Sequence, residues 1–147
     1  MSASNSLENS ILLLLFNNIA FANIGDAGGL QPSATAGNLY VSLHTGDPEE
    51  GGDQTTNECD YTSYARVAVA RSGAGWTVTA NTVKNAAAIT FPKMTGGTED
   101  IATHFGVGTA LNGAGVLLFS GELTDPLNIN LNITPQISAG DLDITTD

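Results

Sequence analysis

Residues 38–52 read NLYVSLHTGDPEEGG, and the reading of this stretch decides the fold. Leu39, Val41 and Leu43 alternate with Tyr40, Ser42 and His44, the period of two that sends successive side chains to opposite faces of a β-strand. Strict alternation puts the apolar set on the core and His44 on the outward face. Thr45-Gly46-Asp47-Pro48 then supplies turn chemistry, with Gly and Asp tolerating unusual φ/ψ and Pro fixing the next φ. His44, Asp47, Glu49 and Glu50 are also the residue types of a metal centre or an acid–base pair. The reading adopted is a strand that runs out into a solvated loop, because the rest of the chain supplies no companion for such a site.

The same alternation recurs on both sides. Strands are predicted over 64–69, 76–80, 87–91 (stopped by Pro92), 101–107, 116–123, 127–134 and 141–145. The cleanest pattern is LNINLNIT at 127–134, with Leu127, Ile129, Leu131 and Ile133 inward and asparagines outward. Gly, Pro and Asn punctuate the gaps. Seven to nine short strands at this spacing predict a mainly β fold, a single-domain antiparallel β-sandwich or jelly roll.

The N-terminal segment has a different period. Asn5 is the expected N-cap, with Glu8 three residues on. Leu7, Ile11, Leu14 (or Leu15) and Ile19 recur at helical spacing, while Leu12, Leu13 and Phe16 make the remaining faces apolar. Such a helix must be covered on more than one side, either by its own domain or partly by a partner subunit. Leu7, Ile11, Leu14 and Phe16 are the candidate docking residues. The expected organisation is a helix and Gly-rich linker arm over 1–37 and a β-sandwich domain over 38–147. The apolar run from Ile11 to Phe16 is too short for a membrane span and lacks the cation of a signal peptide, so synthesis in a host cytoplasm without membrane insertion is expected.

Charge narrows the partners. The 147 residues carry 4 basic and 15 acidic side chains, a net charge of -11, which repels nucleic acid and anionic lipid. Only 13% of residues are charged, against about 25% in a typical globular protein. That composition suits a surface that meets other protein. Cys59 is the only cysteine and lies between Glu58 and Asp60, which disfavour its thiolate. His104 is the only other histidine, and nothing in the spacing brings it to His44, so the two are expected far apart. No GxSxG, HExxH, phosphate-loop or dinucleotide pattern is present. No catalytic residue, metal ligand or cofactor is assigned. Arg66 is the exception among the charges: it lies just past Glu58 and Asp60, and its guanidinium should form a structural ion pair, internally or across a subunit contact.

Five segments stand in a telling order: LYVSLHTGDPEEGG (39–52), NECDYTSYARVAVA (57–70), NAAAITFP (85–92), THFGVGTALNGAGVLLFSGEL (103–123) and ISAGDLDITTD (137–147). This order resembles a family of small tailed-phage virion structural proteins, described as tail-fibre-like or minor structural proteins; similar small β-proteins serve as capsid decoration proteins. His44, Asp47, Tyr64, Arg66 and His104 match that pattern as structural positions, and the resemblance brings no catalytic residue. It implies a virion component on the capsid surface or tail, contacting the major capsid protein or other virion proteins, as a homo-oligomer (dimer or trimer). Small size, low charge density and the apolar helix put capsid decoration (cement) first and a tail, fibre or collar adaptor second. A carbohydrate-binding jelly roll using Tyr40, Tyr61, Tyr64 and Trp76 as platforms ranks third, since 6% aromatic content leaves little beyond the core.

Overall fold

In the computed structural model, which describes residues 2–146, one helix and nine strands form. The helix is α1 (Asn5–Asn17), and the strands are β1 (Asn38–His44), β2 (Val67–Ala70), β3 (Trp76–Thr79), β4 (Thr82–Asn85), β5 (Ile89–Thr90), β6 (Asp100–Gly108), β7 (Leu117–Ile129), β8 (Gln136–Ile137) and β9 (Asp143–Thr145). The pairs β1–β6, β6–β7, β3–β4, β4–β9 and β5–β8 are antiparallel, and the described residues are mainly β with one N-terminal helix. The chain divides into two compact units, one of 1–38, 70–88 and 138–147, the other of 39–69 and 89–137.

In the first unit α1 packs on the sheet β3-β4-β9. The N-cap is Ser4, one residue earlier than expected: its hydroxyl accepts from the Leu7 N–H at 3.3 Å. The helix stops at Asn18, which takes the left-handed conformation (φ 55°) that Asn tolerates better than most residues. No basic residue lies in the last turn, and Arg71 supplies the missing charge from elsewhere in the chain. Its guanidinium donates to the carbonyls of Leu14 at 2.7 Å and Leu15 at 2.6 Å, where the helix dipole is negative. The buried helix face is Glu8, Leu12 and Phe16, not the stripe through Leu7 and Ile11. Phe16 meets Trp76 edge-on, with centroids 4.9 Å apart, and both are fully buried. That large aromatic contact sets which way the helix is rotated.

Strand β4 escapes the sequence reading because TVKN is short and half polar. It forms because Ala80, at φ 54°, turns the chain back so that Trp76 pairs with Asn85 and Thr79 with Thr82. Asn85 is buried and ties the unit together. Its Nδ2 donates to the carbonyls of Ala87 and Ser138, and its Oδ1 accepts from the N–H groups of Gly140 and Leu142.

The second unit is built on the sheet β2-β1-β6-β7, with the two-stranded pair β5-β8 beside its loops. Strand β1 lies between two neighbours, and Val41, Ser42, Leu43 and His44 are all buried. Both faces are therefore covered, which corrects the one-sided alternation expected for this strand. Strand β7 corrects a second expectation. It runs on through Pro126 to Ile129, so 116–123 and 127–134 do not form two separate strands. Between Ala102↔Leu127 and His104↔Glu122, β6 advances by two residues and β7 by five, a bulge that accommodates a proline unable to donate to the ladder. The LNINLNIT pattern ends as a strand at Ile129. Beyond it Asn132 turns at φ 70°, and Leu131 and Ile133 are 58% and 45% exposed.

Candidate functional site

The end of β1 is the most polar part of the second unit's interior. Segment 57–59 folds back on it through Thr45 N–H to the Asn57 carbonyl and Cys59 N–H to the Leu43 carbonyl. His44 is thereby bridged to Glu58 on one side and lies opposite His104 of β6 on the other, and His104 in turn is opposite Glu122 of β7. A cross-strand row Glu58–His44–His104–Glu122 results. The expectation that the histidines lie far apart is corrected: β1 and β6 are sheet neighbours, a pairing that no local spacing encodes.

His44 is also not solvated. It is 0% exposed, and both ring nitrogens are engaged, Nδ1 with the Thr56 carbonyl at 2.8 Å and Nε2 with Ser42 Oγ at 2.8 Å. A carbonyl can only accept, so Nδ1 carries the proton and Nε2 accepts from the Ser42 hydroxyl. Burial holds the His44 pKa below its usual value; the Thr56 carbonyl and the Glu58 charge oppose this, while Arg66 and His104 add to it. A serine donating to an imidazole is the geometry of a nucleophile and its base. Here Ser42 is also 0% exposed, and a Cβ on Gly106 of the adjacent strand would lie 2.6 Å from both Ser42 Oγ and His44 Nε2. The pair is enclosed beneath backbone, and what it does is hold the 45–60 loop on the sheet. Gln54 anchors the same loop, fully buried against Gly108 and accepting from the Ala110 N–H at 2.9 Å.

Arg66 lies next to this row and is 6% exposed. Its Nε and Nη2 donate to the two carboxylate oxygens of Glu58 at 2.7 and 2.8 Å, and Nη1 donates to the Ala110 carbonyl at 2.8 Å. Glu58 also accepts from the Tyr64 hydroxyl at 2.9 Å, and the Tyr64 oxygen accepts from the Leu43 N–H at 3.0 Å. The hydrogen bonds to Glu58 raise the Arg66 pKa further, and burial followed by the Glu58 charge pushes the Tyr64 phenol well above its usual value. Cys59 is buried, and burial, reinforced by Asp100, Glu58 and Asp60, pushes its thiol up to about 12. Such a thiol is unsuited to nucleophilic work. Among the described residues no group of three or more His, Cys, Asp or Glu side chains is placed to hold a metal ion.

The helix residues divide. Leu7 and Ile11 are each 38% exposed and Leu14 is half-buried, whereas Phe16 is 0% exposed. Phe16 is corrected as a docking residue, because its packing on Trp76 leaves it no surface to offer. Of the aromatic residues considered as sugar platforms, Tyr61 and Trp76 are at most 1% exposed and serve as core. No helix of the described residues is long and apolar enough to cross a membrane.

Comparison with curated proteins finds no match. A family model described as podophage GP4 fiber I protein gp80 matches residues 2–145, a span that takes in the helix, both units and the buried His44–Arg66 network. The chain accordingly belongs to the podophage GP4 fiber I protein gp80 family and is a phage virion structural protein.

Proposed function

We propose that the protein is a fibre component of a podophage virion, working through protein–protein contacts and not through catalysis. The observation that carries this reading is the family match along the chain, whose description names a fibre protein. The polar chemistry of the second unit supports it. The buried Ser42, His44 and Arg66 groups and the half-buried Tyr64 are spent on fixing a loop to a sheet. A net charge of -11 argues against DNA or an anionic membrane as the partner.

The attachment surface in this reading is the outer face of α1. Leu7 and Ile11 are exposed there, and the only charged residues before Leu30 are Glu8, which is buried, and Asp26. Ile19, Ile24 and Leu30 continue the exposed apolar character at 49%, 44% and 46% exposure. An uncharged apolar segment in so acidic a chain fits docking on another virion subunit or a second copy. Capsid decoration rests on the same kind of contacts and differs in location and number. Counting copies per virion against the major coat protein tests the choice. A fibre component should match the rotational order of the tail or a small multiple of it. A number matching the coat-protein shell would overturn the fibre reading in favour of decoration.

A further inference from the structure

We infer that the first half of the β7 edge is a docking strip for an extended, basic segment of a partner protein, which adds to the sheet as a fifth strand. In the second unit β7 is the last strand of β2-β1-β6-β7, so among the described residues no further strand of the sheet lies beyond it. An edge of this kind is a template for a further strand unless it is blunted. The second half of β7 is blunted by the bulge after Glu122, Asp125 and Pro126. The first half, 117–122, has no proline, and six residues at strand spacing offer about 20 Å of ladder.

An open groove of about 340 Å³ adjoins this half, lined by Leu117, Leu118, Phe119 and Ser120 of the strand together with Glu49, Glu50 and Gly52 of the 45–60 loop. The turn that presents the two glutamates is tightly made. Asp47 Oδ1 accepts from the Glu49 N–H at 2.8 Å, and Gly52 passes so near Pro48 that a Cβ there would be 1.9 Å from its carbonyl oxygen. Glu122 adds a third carboxylate at the far end of the strip. The ion pairs among the described residues are Arg66–Glu58 and Lys84–Asp143, and neither uses these three acids.

Charge selects the occupant. A second copy meeting this edge around a two-fold axis would bring Glu49, Glu50 and Glu122 against their own equivalents, and like charges facing across strands are destabilising. A strand with Lys or Arg on one face and apolar residues on the other satisfies the edge, the carboxylates and the leucine-lined floor together. The β7 edge is a different surface from the helix face, and a strand can dock on it whether the protein sits on a fibre or on the shell.

The test uses the full chain and a ten-residue peptide alternating Lys and Val, with a control of equal charge in which two Val are replaced by Pro. Fluorescence anisotropy should show the alternating peptide binding roughly tenfold more tightly than the control, since proline breaks strand pairing but leaves charge intact. Hydrogen exchange should show new protection confined to amides within 117–122. The Glu49→Gln/Glu50→Gln variant should fold normally, because both side chains are exposed, and should bind roughly tenfold more weakly. Equal binding of the two peptides, no binding, protection located elsewhere, or unchanged binding by the variant would each overturn the inference. Protection of the same amides on raising protein concentration without peptide would overturn it in favour of a second copy.

Discussion

Replacing Arg66 by Lys keeps the charge and removes the fork, which makes it the sharpest probe of the second unit. The arginine side chain is 3% exposed and that of Glu58 14%, so solvent screens this pair little. A lysine ammonium can reach one Glu58 oxygen but not both, and it leaves the Ala110 carbonyl without the Nη1 donor now at 2.8 Å. One charge-assisted bond and one bond to a half-buried carbonyl are lost, a destabilisation of about 2–3 kcal/mol. Arg66→Ala removes the counter-charge outright and leaves the Glu58 carboxylate with the Tyr64 hydroxyl as its donor, costing about 3–5 kcal/mol. Urea unfolding followed by near-UV dichroism of Tyr61 and Tyr64, which lie in the second unit, in parallel with far-UV dichroism reads both. With an unchanged slope, the lysine variant should lower the midpoint by about 1 M. Hydrogen exchange should place the loosening in the 45–60 loop and the 110–115 turn first. A lysine variant within about 0.5 kcal/mol of the parent, the range of neutral surface changes, would refute the claim that the guanidinium geometry matters.

Three further outcomes follow from the same structure. Gly106→Ala should destabilise by about 1–3 kcal/mol, measured by urea unfolding, because its methyl group would enter space held by Ser42 and His44 at 2.6 Å. His44 is held neutral by burial, facing Glu58, Arg66 and His104, so its folded pKa lies below the unfolded value near 6.5. Its contribution is full above that value and is lost as pH falls through the folded pKa, at no more than about 1.4 kcal/mol per pH unit for one proton. Unfolding midpoints between neutral and mildly acidic pH should therefore fall more steeply in the parent than in His44→Asn. Phe16→Ala should cost about 3–5 kcal/mol, whereas Leu7→Asp/Ile11→Asp should leave the melting temperature nearly unchanged and abolish incorporation into virions. A double variant still incorporated at parental copy number would remove the helix face from the attachment surface.

The sequence by itself determined what depends on neighbours along the chain. Periodicity of two at 39–43 and 101–107, turn residues between strands and the helical run at 5–17 locate most elements, because strand and helix propensity act locally. The proximity of Arg66 to Glu58 is legible for the same reason, as eight residues and one turn separate them. Tertiary structure decided everything that depends on which strands become neighbours. Alternation cannot say that β1 lies between β2 and β6, so it assigns His44 to solvent, when the returning 45–60 loop covers it and β6 sets His104 beside it. A period of two likewise continues past Ile129 on paper, but β6 gives no partner beyond Asp100, and without a ladder the remaining asparagines turn instead. The helix shows the same limit in another form. Its sequence is apolar on nearly every face, so composition cannot choose the buried one, and the Phe16–Trp76 contact, made between residues far apart in the chain, does.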